Sequence, residues 1–177
     1  MSEREQIRES WGPPRSRTVV WHDPVAAAAI GLKMAGRDYL EAILAGQLPP
    51  APIVELFNMR GVRVDDGEVE FSCEPDESAY NPIGLIHGGL TCTLLDSVTG
   101  CAVHTLLPAG VAYTSIEIKV TYLRPVFAHS GPLSAIGTVT KPGRRVSFAE
   151  GSVRGADGKL LATATSSFLI LPPETEG

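Results

Sequence analysis

The chain has 177 residues, 44% of them hydrophobic, which is enough to bury one sizeable core and asks for no second one. Fifteen basic residues against twenty acidic give a formal net charge of −5, which excludes a nucleic-acid binder working through bulk charge. No apolar run reaches the length of a membrane span, and the start, Met1-Ser-Glu-Arg-Glu-Gln, is too charged for a secretory signal, so the expectation is a soluble cytoplasmic protein with no membrane partner.

In chain order, residues 1–17 are polar, contain Gly12-Pro13-Pro14, and read as a frayed start. A helical pattern opens at Asp23-Pro24, with Asp23 as N-cap and Pro24 at the first helical position. It runs through Ala29, Ile30, Tyr39, Leu40, Ile43 and Leu44 to a stop at Gly46, and Gly31 and Gly36 weaken its middle enough to allow two shorter helices. Pro49-Pro50-Ala51-Pro52 is a stiff connector, and Ile53 to Phe57 forms a short amphipathic turn. From Arg60 the period changes to two. Residues 61–71 read as a hairpin folded at Asp66-Gly67. Four further strands, Tyr113 to Tyr122, Leu133 to Thr140, Arg145 to Arg154 and Lys159 to Leu171, are separated by the turn signals Arg124-Pro125, Pro142-Gly143 and Asp157-Gly158. In the first of these four, Ile116, Ile118 and Val120 fall on one face.

Between hairpin and strands lies Asn81-Pro-Ile-Gly-Leu-Ile-His-Gly-Gly-Leu-Thr-Cys-Thr-Leu-Leu-Asp-Ser-Val-Thr-Gly100, a loop, a glycine-rich entry and a helix. Leu90, Leu94, Leu95, Val98, Cys101, Ala102 and Leu106 leave that helix a narrow polar strip, so it is buried. It carries one carboxylate, Asp96, whose desolvation is costly unless the group is paired, hydrogen-bonded or put to use. At its start the amides of Gly88, Gly89 and Leu90 lack intrahelical acceptors and hold the positive end of the helix dipole, a place where a developing oxyanion is stabilised. A one-faced antiparallel sheet and a helix apolar nearly all round bury each other if the sheet wraps the helix. The fold class is therefore α+β, with five or six strands around one long helix.

The three cysteines, Cys73, Cys92 and Cys101, contain no C-x-x-C pair, and a free thiol on an apolar helix packs as a small hydrophobe. His22, His87, His104 and His129 lack ligand spacing, so no metal is expected; His104, late in the helix, reads as a packed side chain or a partner of the helix dipole's C-terminal end. Gly88 and Asp96 are eight residues apart, or ~12 Å along a helix, whereas a base works within ~3 Å of its target. One helix cannot bring both to the same carbonyl. Two antiparallel helices across a two-fold axis can, with Asp96 of one subunit beside Gly88 of the other.

Asn81, His87-Gly88-Gly89, Asp96 and the later strand Ser115-Ile-Glu-Ile-Lys-Val-Thr-Tyr-Leu-Arg-Pro resemble the motif of hotdog-fold acyl-CoA thioesterases, in particular the phenylacetate-pathway, PaaI-like branch. The resemblance spans about Phe57 to Leu171. It implies a hotdog domain over residues 53–177 with an N-terminal helical extension over residues 1–52, a homodimer that completes the site, and pairing of dimers into a tetramer. It further implies hydrolysis of a small aryl- or acyl-CoA with no cofactor beyond the coenzyme A of the substrate. By position, Asp96 would be base or nucleophile, the Gly88 amide would polarise the thioester carbonyl with Gly89 beside it, His87 and Asn81 would order the loop and the thioester end, and Ser115 would orient Asp96. Lys141, Arg144 and Arg145 cluster at a turn and suit the phosphates of coenzyme A. Two other readings stand beside this one: a hotdog enoyl-CoA hydratase or dehydratase, for whose His-plus-acid spacing there is no match, and a non-catalytic acyl-CoA-binding module, which needs an output element such as a basic recognition helix that the first sixty residues do not offer.

Overall fold

The computed structural model describes residues 3–173. Among these residues five α-helices, α1 (Glu3–Glu9), α2 (Pro24–Gly31), α3 (Gly36–Leu44), α4 (Pro52–Leu56) and α5 (Gly88–His104), accompany six strands, β1 (Met59–Asp65), β2 (Glu68–Cys73), β3 (Ala112–Tyr122), β4 (Leu133–Lys141), β5 (Val146–Arg154) and β6 (Leu160–Leu171). The strands form one antiparallel sheet in the order β1-β2-β4-β5-β6-β3. The hairpin folds at Asp66-Gly67 as its sequence predicts, with Gly67 at φ 74°.

Helix α5 lies across the concave face of the sheet. Leu94, Leu95, Val98 and Ala102 are fully buried there, against Val69, Ala135, Val153 and Ala162. Burial of each such leucine or valine side chain contributes about 1.5–3 kcal/mol. The helix backbone sits so close to β4 that a Cβ on Gly137 would lie 2.3 Å from Val98 O, so only glycine fits at that position. The apolar character extends less far than the sequence suggests. Gly89 is exposed and Cys92, Thr93, Asp96 and Ser97 are only half-buried, a stripe of small and polar side chains outside the fully buried face of the helix. Leu106 lies beyond the helix end and is exposed. Cys73 packs as a hydrophobe with its thiol on Phe57 O, whereas Cys92 belongs to the outward stripe.

The N-terminal pattern resolves into two helices. Asp23 caps α2 by accepting from the Val25 and Ala26 amides, and Gly46 at φ 71° follows the end of α3. The break is at Gly36, whose amide donates to Leu107 O and whose missing Cβ would stand 1.9 Å from His104 O. Gly36 thereby pins the start of α3 to the end of α5, and Leu40 of α3 enters the main core. Ile53 to Phe57 becomes α4. The polar start is not frayed throughout. Glu, Arg, Gln and Ile are good or adequate helix formers, and residues 3–9 form α1. Further on, Arg15 pairs with Glu77, and Arg17 with Asp76 and Leu56 O. Met1 and Ser2 lie outside the described residues.

The alternation expected in β3 also fails at one point. Ser115 pairs with Phe168 and Glu117 with Ser167, so Ile116 is an extra residue in a β-bulge and is 55% exposed. Beyond the bulge Ile118 and Val120 pack on the core as expected. The extra residue shifts the parity, so Tyr113 and Ser115 share the inner face with Ile118 and Val120 instead of pointing away from it.

Candidate active site

The loop before α5 is built around Asn81. Its side-chain oxygen accepts from the Ile83 and Leu85 amides at 3.1 Å each, and its own amide donates to Leu85 O at 2.7 Å. An asparagine closing its own turn in this way fixes the chain that enters the helix. His87 is the N-cap: its amide donates to Ala79 O, and its Nδ1 accepts from the Gly89 amide at 2.8 Å. An accepting Nδ1 places any ring proton on Nε2. His87 and Asn81 therefore hold the loop, and the Gly89 amide is taken up by the cap. The Gly88 amide has no acceptor among the described residues, and it stands in the first turn of α5 where the dipole is positive. Tyr122 supports it from β3, donating its hydroxyl to Gly88 O at 2.9 Å and packing its ring where a Gly88 Cβ would sit.

Two turns along α5, Asp96 sits half-buried on the outward stripe and accepts from the Ser115 hydroxyl at 2.8 Å. The bulge at Ile116 makes this contact possible by turning Ser115 inward. Burial, with Asp96 adding its negative charge, pushes the Cys92 thiol above its ordinary value and the Cys101 thiol up to about 12, so both neighbours of the carboxylate stay protonated and are poor nucleophiles at neutral pH. Within one chain Asp96 and Gly88 remain on the same continuous helix, and they do not converge.

Lys141, Arg144 and Arg145 lie exposed at the β4–β5 turn. Arg15, Arg17, Arg37 and Arg63 all hold carboxylate partners, whereas these three form no ion pair among the described residues. Ser147, two residues past Arg145, is in register with Phe168 and through it with Ser115. Strand spacing and rise then put the Arg145 backbone ~12 Å from that of Ser115. Among the described residues no group of His, Cys, Asp and Glu has a geometry that would hold a metal ion.

Three residues of this region were not singled out by sequence reasoning. Tyr122 continues the inward alternation of Ile118 and Val120, which was the available signal. Tyr113 is inward only because of the bulge. Tyr39 lies on a helix whose packing partner the sequence does not name, and its ring meets that of His104 at a centroid distance of 5.8 Å, while the His104 ring also meets that of Tyr113 at 5.2 Å.

One long helix packed across a six-stranded antiparallel sheet is the hotdog arrangement. The profile of the thioesterase superfamily matches residues 83–162. Human acyl-coenzyme A thioesterase 13 is 33% identical over 98 residues, 54% of this chain and 68% of that protein. A phenylacetic acid degradation-related protein of Ralstonia eutropha superposes with a TM-score of 0.68 at 28% identity, covering 74% of this chain and 98% of its own. The Escherichia coli PaaI protein from the phenylacetic acid degradation operon shares the fold, with a TM-score of 0.67 at 17% identity over 79% of this chain and 97% of its own. The chain belongs to the thioesterase superfamily and is a thioester hydrolase of the hotdog fold.

Proposed function

We propose that the protein hydrolyses acyl-CoA thioesters to free acid and coenzyme A at sites shared between two subunits. The observation that carries this reading is the pairing of Ser115 with Asp96 opposite a Gly88 amide without an acceptor, on a helix too straight for the two to meet within one chain. Asp96 acts on water as a base, or on the carbonyl directly as a nucleophile, while Ser115 fixes its orientation. In the base route Asp96 takes a proton from water, the oxygen adds to the thioester carbon, and the carbonyl oxygen gathers negative charge against the partner's Gly88 amide. Collapse expels the coenzyme A thiolate, which is reprotonated, and leaves the carboxylic acid. The amide needs no reorganisation to meet that charge, which is why such donors are effective.

Two features support the shared site. Strand β3 is an edge of the sheet, eleven residues long, and its outer edge has no strand partner among the described residues. The small side chains of the α5 stripe let a second helix approach closely. Ser115 marks the level of Asp96 and Tyr122 that of Gly88. Antiparallel pairing of β3 with its copy about a point between Ile118 and Lys119, midway from Ser115 to Tyr122, brings the two levels together. The β4–β5 turn then lies at the same end as the partner's helix start, where Lys141, Arg144 and Arg145 receive the phosphates of coenzyme A. Dimers of this kind pair again into a tetramer.

The test is complementation between two inactive variants. Asp96→Ala removes the carboxylate, and Gly88→Pro removes the amide at the first helical position, where the backbone suits proline and the Tyr122 side chain must shift to admit the ring. Refolded together, half of the dimers are mixed and carry one intact site, so thiol release on acyl-CoA recovers to about a quarter of the wild-type rate. Absence of recovery, with mixed dimers demonstrated, defeats the shared site. The phosphate assignment is checked separately: the Arg144→Ala, Arg145→Ala pair raises KM for CoA esters about tenfold more than for pantetheine esters of the same acid, and equal changes for both would exclude it.

A further inference from the structure

Helix α2 departs from the pattern of the rest of the chain. Residues 24–32, Pro-Val-Ala-Ala-Ala-Ala-Ile-Gly-Leu, contain no charged or hydrogen-bonding side chain, and a helix apolar all round belongs in a protein interior. Yet only Gly31 of the helix is buried. Val25 is 76% exposed, Ile30 and Leu32 are exposed as well, and Val20 and Trp21 stand exposed just before them. A helix of eight residues is marginal in water by itself and takes its stability from packing. An apolar surface of this kind marks a contact with another molecule.

The place of α2 in the fold points to a second copy of the chain. Its C-terminal end is fixed: the Tyr39 ring stands where a Gly31 Cβ would lie, and Leu32 O accepts from the Gly110 amide at 2.8 Å. Gly110 is two residues ahead of β3, the free edge of the sheet. Helix α3, which follows, begins against the end of α5, so this part of the extension lies on the helix side of the sheet. When β3 pairs with its copy about a point between Ile118 and Lys119, Ala112 falls opposite the partner's Pro125. In each chain the next residue, Val126, accepts the Ile86 amide at 2.9 Å and ties down the loop 81–86 that leads into α5. That loop, Asn-Pro-Ile-Gly-Leu-Ile, is also uncharged, its Ile83 is 78% exposed, and Leu123 is exposed just past the end of β3. Two uncharged apolar surfaces thus arrive at the same end of the dimer from opposite chains, and neither buries an ion by meeting the other.

The pairing also needs their area. A stable homodimer buries about 800 Å² or more on each partner and is apolar at its centre. The exposed side chains of β3 include Thr114, Glu117, Lys119 and Thr121, and the α5 stripe is small and polar. Helix α2 and loop 81–86 supply the apolar surface that edge and stripe lack.

We propose that α2 of each subunit docks on loop 81–86 of its partner and covers Ile83 and Leu123 there, so that the N-terminal extension of one chain braces the helix entry of the other. This rests on the shared-site dimer above and goes beyond it by giving the extension a binding surface. Asn81 shapes that loop and His87 ends it, so the brace bears on the Gly88 amide at which the thioester carbonyl is held.

The single variants Ile30→Cys and Ile83→Cys are refolded together and treated with a short bis-maleimide, the unsubstituted chain serving as control for Cys73, Cys92 and Cys101. A covalent dimer is expected from the mixture and from neither variant alone. In a second measurement, Val25→Asp combined with Ile30→Asp raises the dimer dissociation constant at least tenfold and lowers kcat for CoA esters, with far-UV circular dichroism unchanged. Both side chains are exposed within their own chain, so the charges are tolerated unless a partner covers them. Absence of a covalent dimer from the mixture, or a dissociation constant within twofold of wild type in the Asp variant, overturns the inference and leaves the shared site standing. A covalent dimer from Ile30→Cys alone gives α2 its own copy as cover and overturns it too. A wild-type chain that is monomeric and fully active overturns both this docking and the shared site.

Discussion

Asp96→Ala lowers kcat for acyl-CoA hydrolysis by about 10²–10⁴-fold, the span expected when a positioned base is removed from the transition state. Asp96→Asn, which keeps the shape and still accepts the Ser115 hydroxyl at the same oxygen, falls in the same range, because what is lost is the negative charge and not a contact. Both variants fold. The side chain is half-buried, lies outside the hydrophobic core and meets the sheet only through the Ser115 hydroxyl, so the melting temperature stays within a few degrees of wild type. Steady-state thiol release with circular dichroism as control decides the matter. An Asp96→Ala protein that kept a tenth of the wild-type rate would remove Asp96 from the reaction.

Gly137→Ala costs more stability than the same change at Gly61 or Gly151, the other glycines within the strands. The new Cβ would stand 2.3 Å from Val98 O and 2.7 Å from the Thr99 amide, both backbone atoms of α5, and neither can move without lifting the helix from β4 and β5. Overpacking of this kind costs about 1–3 kcal/mol. In a chain of this size each kcal/mol lowers Tm by about 2–4 °C. Gly61→Ala is the control, since its Cβ first meets the end of the flexible Leu44 side chain at 3.3 Å. Thermal melts of the two should separate clearly; the same small shift in both would mean that α5 does not bear on β4 as described. Lifting α5 also displaces Asp96 and Gly88, so activity falls with stability in Gly137→Ala.

The sheet and its helix were legible in the sequence because their signals are local. Period-two alternation, Asp66-Gly67, Pro142-Gly143 and the apolar run from Leu90 to Ala102 place strands, turns and the central helix within a few residues of where they lie. The thioesterase motif around His87-Gly88-Gly89 and Asp96 is legible for the same reason, being carried by one short segment. What the sequence withheld is non-local. The bulge at Ile116 shows only in the pairing of β3 with β6, so Ser115 and Tyr113 read as outward until that pairing is known. Gly36 reads as a helix weakener, yet its role is set by the carbonyl of His104, 68 residues away. The helix α1 falls in a segment that composition marks as polar and loose, where helix-forming side chains outweigh that signal. Tyr39 of the extension meets His104, whose ring also meets Tyr113, and no spacing in the chain announces such a meeting.

The additional residue in β3 also governs how related sequences must be lined up. A chain that builds the same strand without it carries its hydroxyl side chain one position later relative to Ile118, so an ungapped comparison sets Ser115 against a residue on the convex side and Ile116 against the true counterpart. A serine or threonine apparently missing from a relative at this place is then a matter of an unopened gap, and the partner of the helix carboxylate is found by shifting the frame by one.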